Sequence, residues 1–407
     1  MSQTGGRSLA SRLGWIALIA FSSGFPFGFF NELIPVYLRT QGTSLEVIGL
    51  ASWASLPWAL KFLWAPLVDR IGRRRWWIVG CQVGLALVLA AFAGLPPSQT
   101  ALFVLLFALV ALSATQDIAV DAYTIEVTDR SELGPANGVR VTAYRLAMIV
   151  AGGAMVGLSG ALGWRTIFLA GAALFVVLAL LDTRLPRVER ASAKHQPLTE
   201  PVRELLAAPG IAAVLLFVLL FKLGDLALTP MVKPFWLDSG YSVEAIGWLQ
   251  TTIGLGASIV GALLGGLLTQ RMGTYKALWV LGGVQALSNL GYLAAASAGA
   301  PPALMYPAVV IEQFTAGLGT AAFLAFLMSL CSRAHAATQF ALLSALYRVA
   351  GIIAASVSGF LTVRFGYSSY FLITFLLALP GFALLPWVRR ALDSRIRSEK
   401  WEVGSGK

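Results

Sequence analysis

Cysteine, histidine and charge are all scarce in this chain of 407 residues, which has two cysteines, two histidines and only 12% Asp, Glu, Lys and Arg together. Cys81 and Cys331 lie far apart inside apolar segments, which excludes a disulfide framework and metal-ligand spacing and makes them small core residues. His195 and His335 fall in short polar stretches and read as solvated loop residues, so no metal site is expected. Also missing are a GxxxxGK[ST] phosphate loop, an HExxH helix and a GxSxG elbow, which argues against ATP hydrolysis and against the familiar hydrolytic centres. No catalytic residue and no cofactor is therefore expected. With 57% apolar residues, the chain has too little polar surface to cover a water-soluble globule of its size.

What is present is a series of long apolar runs, each near the roughly 20 residues a helix needs to cross a hydrocarbon core. They fall near 13–38, 46–68, 76–95, 100–127, 136–160 and 165–184, then 209–237, 244–269, 277–298, 302–331, 338–362 and 368–388. The reading is an all-α membrane protein of twelve transmembrane helices in two pseudo-symmetric six-helix bundles. Residues 1–184 form the first bundle, 185–207 a charged, proline-containing cytoplasmic linker, and 208–407 the second bundle with a cytoplasmic tail. The opening MSQTGGRSLASRLGW leads into the first apolar run without a small-residue cleavage pattern, so that run is read as a retained helix.

Basic residues set the expected orientation. With both termini inside, the inner segments hold most of the 30 lysines and arginines, among them Arg70, Arg73, Arg74, Arg75, Arg184, Arg187, Arg190, Lys194, Arg203, Arg271, Lys276, Arg389, Arg390, Arg395 and Arg397. The outer loops keep only Arg39, Arg165 and Arg364, with Lys233 near an outer helix end. The net charge of +11 thus faces anionic lipid across one membrane face, and no nucleic-acid partner is implied.

The halves repeat one another, as in carriers whose substrate path runs between related bundles. Phe21-Ser22-Ser23-Gly24 parallels Phe221-Lys222-Leu223-Gly224, and Tyr144-Arg145-Leu146-Ala147 parallels Tyr347-Arg348-Val349-Ala350. After the second run comes Pro66-Leu67-Val68-Asp69-Arg70-Ile71-Gly72-Arg73-Arg74-Arg75, with Gly265 to Gly273 at the matching place in the second half. The first string resembles the loop signature of the major facilitator superfamily. That resemblance implies the superfamily fold and a cytoplasmic latch at Asp69, Arg70, Gly72 and Arg73, holding helix ends together in the outward-open state; the second copy lacks the acid. Ser23-Gly24-Phe25-Pro26, Leu60-Lys61-Phe62-Leu63-Trp64-Ala65-Pro66 and Gln116-Asp117-Ile118-Ala119-Val120-Asp121-Ala122-Tyr123 are similar to the branch holding AmpG-type muropeptide permeases, acetyl-coenzyme A transporters and short siderophore-uptake permeases. Muropeptide permeases often carry extra C-terminal hydrophobic segments. This chain ends after twelve, which moves weight toward the shorter siderophore-type or uncharacterised members.

Ionisable side chains inside apolar runs each need a partner or a task. Asp117 and Asp121, four apart, share a helix face, with Gln116 alongside and Lys61, Arg140 and Arg145 available to neutralise them. They read either as a proton- or substrate-binding site at the inner mouth or as a charge network bracing helices. Lys222 and Asp225, three apart, are read as a substrate-level pair, and Asp225 also as a proton carrier. Arg145 and Arg348, beside Tyr144 and Tyr347, offer an anionic solute two cations with aromatic neighbours, or else pack helices. Glu32 and Glu312 are candidate proton-coupling acids or packing acids. Trp53, Trp58, Trp64, Trp236 and Trp248 are read first as interfacial anchors and otherwise as stacking surfaces, and Gly152, Gly153, Gly157, Gly261, Gly265 and Gly266 as close helix packing.

The resulting expectation is a monomeric, proton-coupled secondary importer in the inner membrane. Its partners are protons, membrane lipid and an amphipathic, anionic small molecule, an anhydro-muropeptide or a siderophore. An acetyl-coenzyme A carrier and an exporter of the same superfamily are the alternatives.

Overall fold

The computed structural model describes residues 9–70, 73–94, 99–127, 133–186, 199–207, 210–330 and 336–404, and every regular element among them is helical. The first six spans are α1 Leu9–Thr40, α2 over 45–70, α3 Arg74–Gly94, α4 Gln99–Val127, α5 over 133–162 and α6 Trp164–Asp182. A short helix, Thr199–Ala207, lies in the linker region. The second six are α7 Ile211–Asp238, α8 Val243–Met272, α9 Thr274–Ser297, α10 Pro302–Ser329, α11 over 336–365 and α12 over 367–404. Helical backbone runs through Ala336–Gly404 but turns at Gly366 (φ 75°), a left-handed value that glycine adopts without penalty, and this separates α11 from α12. Among the described residues ten helical stretches are long and apolar enough to cross a membrane; the turn at Gly366 divides the last of them in two, and the interrupted α2 covers the remaining apolar run.

Several spans are not regular. In α2, 3₁₀ turns at Ala51–Ser55 and Lys61–Leu63 interrupt the α-helix around Pro57. In α7, a turn at residues 221–222 separates Ile211–Leu220 from Leu223–Asp238, leaving Lys222 at the break. Widened π turns occur at Phe29–Leu33 in α1, Ile149–Ala154 in α5 and Ile246–Ile253 in α8. Such turns concentrate at functional sites.

Contacts group the chain into two compact units that exchange short pieces of sequence. The first comprises Met1–Thr43, Ala51–Ala193 and Trp236–Thr252; the second comprises Ser44–Leu50, Lys194–Phe235 and Ile253–Lys407. The start of α8 therefore belongs with α5, and the start of α2 with α11.

Lipid removes the hydrophobic drive between helices, so close van der Waals contact has to supply cohesion. Gly24 of α1 meets the α5 backbone: a Cβ there would lie 2.8 Å from Tyr144 Cα. In the first unit Phe25 packs edge-on to Phe175 at 5.5 Å and Phe92 stacks on Phe168 at 5.4 Å. In the second, Phe221 stacks on Phe323 at 5.6 Å and Phe217 meets Phe326 at 5.1 Å. Leu87, Leu180, Leu263 and Val363 point outward, which suits acyl chains rather than water.

Two expectations change here. Trp58 and Trp236 are buried core residues rather than interfacial anchors, with Trp58 Nε1 donating to Ser113 Oγ at 3.3 Å; Trp53 and Trp248 are exposed. Gly266 has no atom within 4 Å of where a Cβ would sit and packs nothing, whereas Gly261 and Gly265 lie tightly against α10.

Candidate functional site

Asp117 and Asp121 do share a face of α4, and the first unit gathers partners onto it. Ser23 of α1 donates to Asp117, Arg140 of α5 bonds Asp121, and Lys61, on the 3₁₀ turn of α2, lies 3.9 Å from Asp117 and 3.8 Å from Asp121. Two acids meet two cations, so the cluster is charge-balanced. Lys61, Asp121 and Arg140 side chains are each 35–37% exposed, and water therefore screens much of their attraction. Gln116 turns away from this cluster: fully buried, it donates through Nε2 to Ser22 Oγ at 2.7 Å.

The second unit holds a drier arrangement. Lys222 Nζ donates to Asp225 Oδ2 at 2.8 Å and to Gln285 Oε1 at 2.9 Å, while Gln285 Nε2 donates to the same Asp225 oxygen. Only 7% of the Lys222 side chain and 15% of the Asp225 side chain are exposed. The ammonium thus sits at the break in α7, and a glutamine of α9 is clamped across the ion pair. One turn further along α9, Asn289 is fully buried with neither amide atom hydrogen-bonded, and Ser288 Oγ pairs with Thr315 of α10 at 2.9 Å. Glu312, also buried, precedes Thr315 by one turn and accepts that hydroxyl on its backbone oxygen at 3.0 Å.

Glu32 lies where the three π turns meet. Its side chain fills the space beside Gly152, so that a Cβ on Gly152 would lie 2.6 Å from Glu32 Cγ and 3.0 Å from Thr251 Cγ2. Arg145 on α5 is half-buried and Arg348 on α11 is exposed; among the described residues neither guanidinium has an acid partner. Tyr144 packs at 5.9 Å from the Phe27 ring, and Tyr347 stands edge-on to Phe323 at 5.6 Å.

Of the expected latch, Gly72 and the side chains of Asp69 and Arg70 lie outside the described residues. Arg73 is exposed, and the neighbouring Arg74 makes the contacts: Nε to Glu126 Oε1 at 3.2 Å and Nη1 to Val68 O at 2.7 Å. Among the described residues, no three His, Cys, Asp or Glu side chains converge as metal ligands would. Sequence reading missed Ser22, Ser23, Gln285 and Asn289 because polar uncharged residues inside an apolar run carry no sign of which distant helix they will face. Two signals were available: the string Ser23-Gly24-Phe25-Pro26, which holds Ser23, and the repeat, in which Ser22 and Lys222, at matching places, both bond a glutamine from another helix.

This geometry has known relatives. Over 391 residues the chain is 32% identical to the anhydromuropeptide permease of Escherichia coli K12, covering 93% of this chain and 80% of that one. An uncharacterized protein of Haemophilus influenzae is 33% identical over 400 residues, covering 91% of this chain and 93% of its own. Among solved structures, a bacterial homolog of the human lysosomal transporter Spinster, inward-facing and unoccupied, superposes with a TM-score of 0.80 at 18% identity, covering 95% of this chain and 98% of that one. The Major Facilitator Superfamily model matches residues 16–228 and again 218–402, one copy per half. With family, repeat and helical architecture agreeing, the chain belongs to the Major Facilitator Superfamily and is a multi-pass membrane transporter, not an enzyme.

Proposed function

We propose that this protein is a proton-coupled importer of anhydro-muropeptide-class solutes across the inner membrane, working as a monomer by alternating access with both termini in the cytoplasm. In this reading 1–184 and 208–407 are the two six-span bodies and 185–207 links them. The substrate class rests on the anhydromuropeptide permease relative; the orientation rests on the arginines concentrated in the loops assigned inside.

The observation that carries the coupling is the Lys222–Asp225–Gln285 clamp. A buried ammonium needs a compensating negative charge. Asp225 supplies it in the empty carrier. When Asp225 takes up a proton, Lys222 loses its counter-charge and becomes a site for a carboxylate of the solute. Proton and anionic solute then favour each other's binding, and by linkage the effect is reciprocal. Within the first unit, Arg145 is half-buried and without an acid partner among the described residues, which suits it to an anionic group. Asp117 and Asp121, each held by cations, fit a bracing role for α1, α2, α4 and α5 as well as a proton relay.

Uptake and counterflow in proteoliposomes separate coupling from binding. Asp225→Asn fixes the neutral state, so counterflow exchange should persist, proton-driven accumulation should be lost, and affinity should no longer vary with pH. Lys222→Met should lose both activities. Uphill accumulation retained by Asp225→Asn refutes this assignment and moves the role to Glu32 or Glu312, tested as Glu32→Gln and Glu312→Gln. For the solute, a thermal-shift screen should respond to anhydro-muropeptides and not to siderophores or acetyl-coenzyme A, since a ligand that prefers the folded state raises its apparent stability. A response confined to either of the other classes overturns the substrate reading.

A further inference from the structure

The repeat places a glutamine at the same point of the third span in each half. Trp76, Gly80 and Gln82 on α3 match Trp279, Gly283 and Gln285 on α9. Each glutamine donates its amide to one carboxylate oxygen of an aspartate from another helix. Gln285 meets Asp225 of α7, and Gln82 Nε2 meets Asp182 Oδ2, at the end of α6, at 2.6 Å. The surroundings then diverge. Around Asp225 the charge is balanced by Lys222, whose ammonium also donates to Gln285 Oε1, so the Gln285 side-chain oxygen has a donor.

Asp182 and Gln82 are both fully buried, and among the described residues no cation stands within ion-pair distance of the acid. Arg75, in the first turn of α3, gives Nη1 to Leu185 O at 3.3 Å. Two atoms of the pair, Gln82 Oε1 and Asp182 Oδ1, are buried with no hydrogen-bond partner. Both are acceptors. An ionised Asp182 would therefore leave an uncompensated charge and two unmet acceptors inside the bundle, each of which is costly. A single added proton removes all three defects. Placed on Asp182 Oδ1 it neutralises the acid and donates to Gln82 Oε1, while Gln82 Nε2–H continues to donate to Oδ2, closing a reciprocal acid–amide ring.

We propose that Asp182 is a proton-binding site, held as a neutral carboxylic acid in a two-hydrogen-bond ring with Gln82 between α3 and α6. This proton is resident rather than transported. The ring ties α3 to the last turn of α6, where the chain departs and where Leu185 N donates to Asp182 O at 3.0 Å and Tyr123 Oη to Pro186 O at 3.3 Å. The inference does not depend on the solute or on which acid couples transport.

Infrared spectroscopy of the full-length protein at neutral pH tests it directly. The wild-type minus Asp182→Asn difference should show loss of a protonated-carboxyl C=O stretch, shifted in D₂O, with no loss of carboxylate bands. The carboxamide that this substitution introduces can repeat the ring through an amide–amide pair, so the variant should also keep the wild-type melting temperature. Loss of carboxylate bands instead, with no protonated-carboxyl band, overturns the proposal. Should Asp182→Asn fail to accumulate, Gln82→Met serves in its place. Removing the partner of a protonated acid shifts its C=O band to higher frequency, and a spectrum without such a shift overturns the proposal equally.

Discussion

At Gly319 on α10 the absence of a side chain leaves room for another residue's reach: a Cβ there would lie 2.9 Å from Gln285 Cδ. Gln285 can therefore clamp Lys222 and Asp225 only while position 319 has no Cβ. Gly319→Ala should push Gln285 off the pair, removing hydrogen bonds to charged groups worth about 1.5–3 kcal/mol. Gln285→Met should cost a similar amount, and the double variant little more than either single one, because both changes delete the same contact. Additive losses of melting temperature across this cycle would show that Gly319 acts elsewhere. Lys222 itself is more demanding. Lys222→Met leaves a buried carboxylate unpaired at a cost of about 3–5 kcal/mol, and adding Asp225→Asn should restore most of it. Sequence alone carried part of this site. The three-residue spacing of Lys222 and Asp225 on one helix announces the pair, whereas Gln285 lies 60 positions from Asp225 and nothing local connects them.

Elements differ from their sequence reading where length and hydropathy are blind. An apolar run reports that a helix is long enough to cross, but an α turn and a π turn have the same composition, so the widened turns of α1, α5 and α8 left no trace. The break in α2 was signalled only weakly, by Pro57 and Pro66. Glycine was more informative at some positions than at others: Gly152, Gly153 and Gly157 do line a close helix contact, and Gly266 does not. A contrast within α8 tests that distinction. At Gly247 a Cβ would lie 2.6 Å from Gly153 O and 2.7 Å from Gly157 Cα, both backbone atoms of α5 that cannot swing aside. Gly247→Ala should therefore lower the melting temperature, with an overpacking cost of about 1–3 kcal/mol. Gly266→Ala meets no neighbour and should stabilise α8 by about 0.5–1 kcal/mol through backbone entropy. Equal effects at the two positions would mean that the α5–α8 contact is not as close as this packing requires.

On the scale of the whole molecule, the two repeats are legible in the sequence but the two compact units are not quite the repeats. The first unit takes in Trp236–Thr252 from the second half of the chain, and the second takes in Ser44–Leu50 from the first. Each borrowed piece is packed closely. Gly359 of α11 lies against the backbone at Leu45 and Glu46, and Gly157 of α5 lies under the indole of Trp248. Arg39 reaches Asp238 with a two-pronged ion pair at 2.6 and 2.7 Å, joining residues 199 positions apart inside the first unit. That pair is about a quarter exposed, so its share is small, about 0.2–1 kcal/mol, and falls further in salt. The glycine contacts contribute the larger part because they let helices approach to backbone distance and gain van der Waals contact that lipid chains do not match. A chain cut in the linker, between residues 190 and 194, should therefore give two fragments that each lack part of a unit. Expressed separately, each should melt below the intact protein and aggregate on extraction. Expressed together, they should co-purify and regain the intact melting temperature, and Arg39→Ala should weaken that association only modestly. Two fragments that are separately as stable as the whole, and that do not associate, would show that the exchanged segments contribute nothing to either unit.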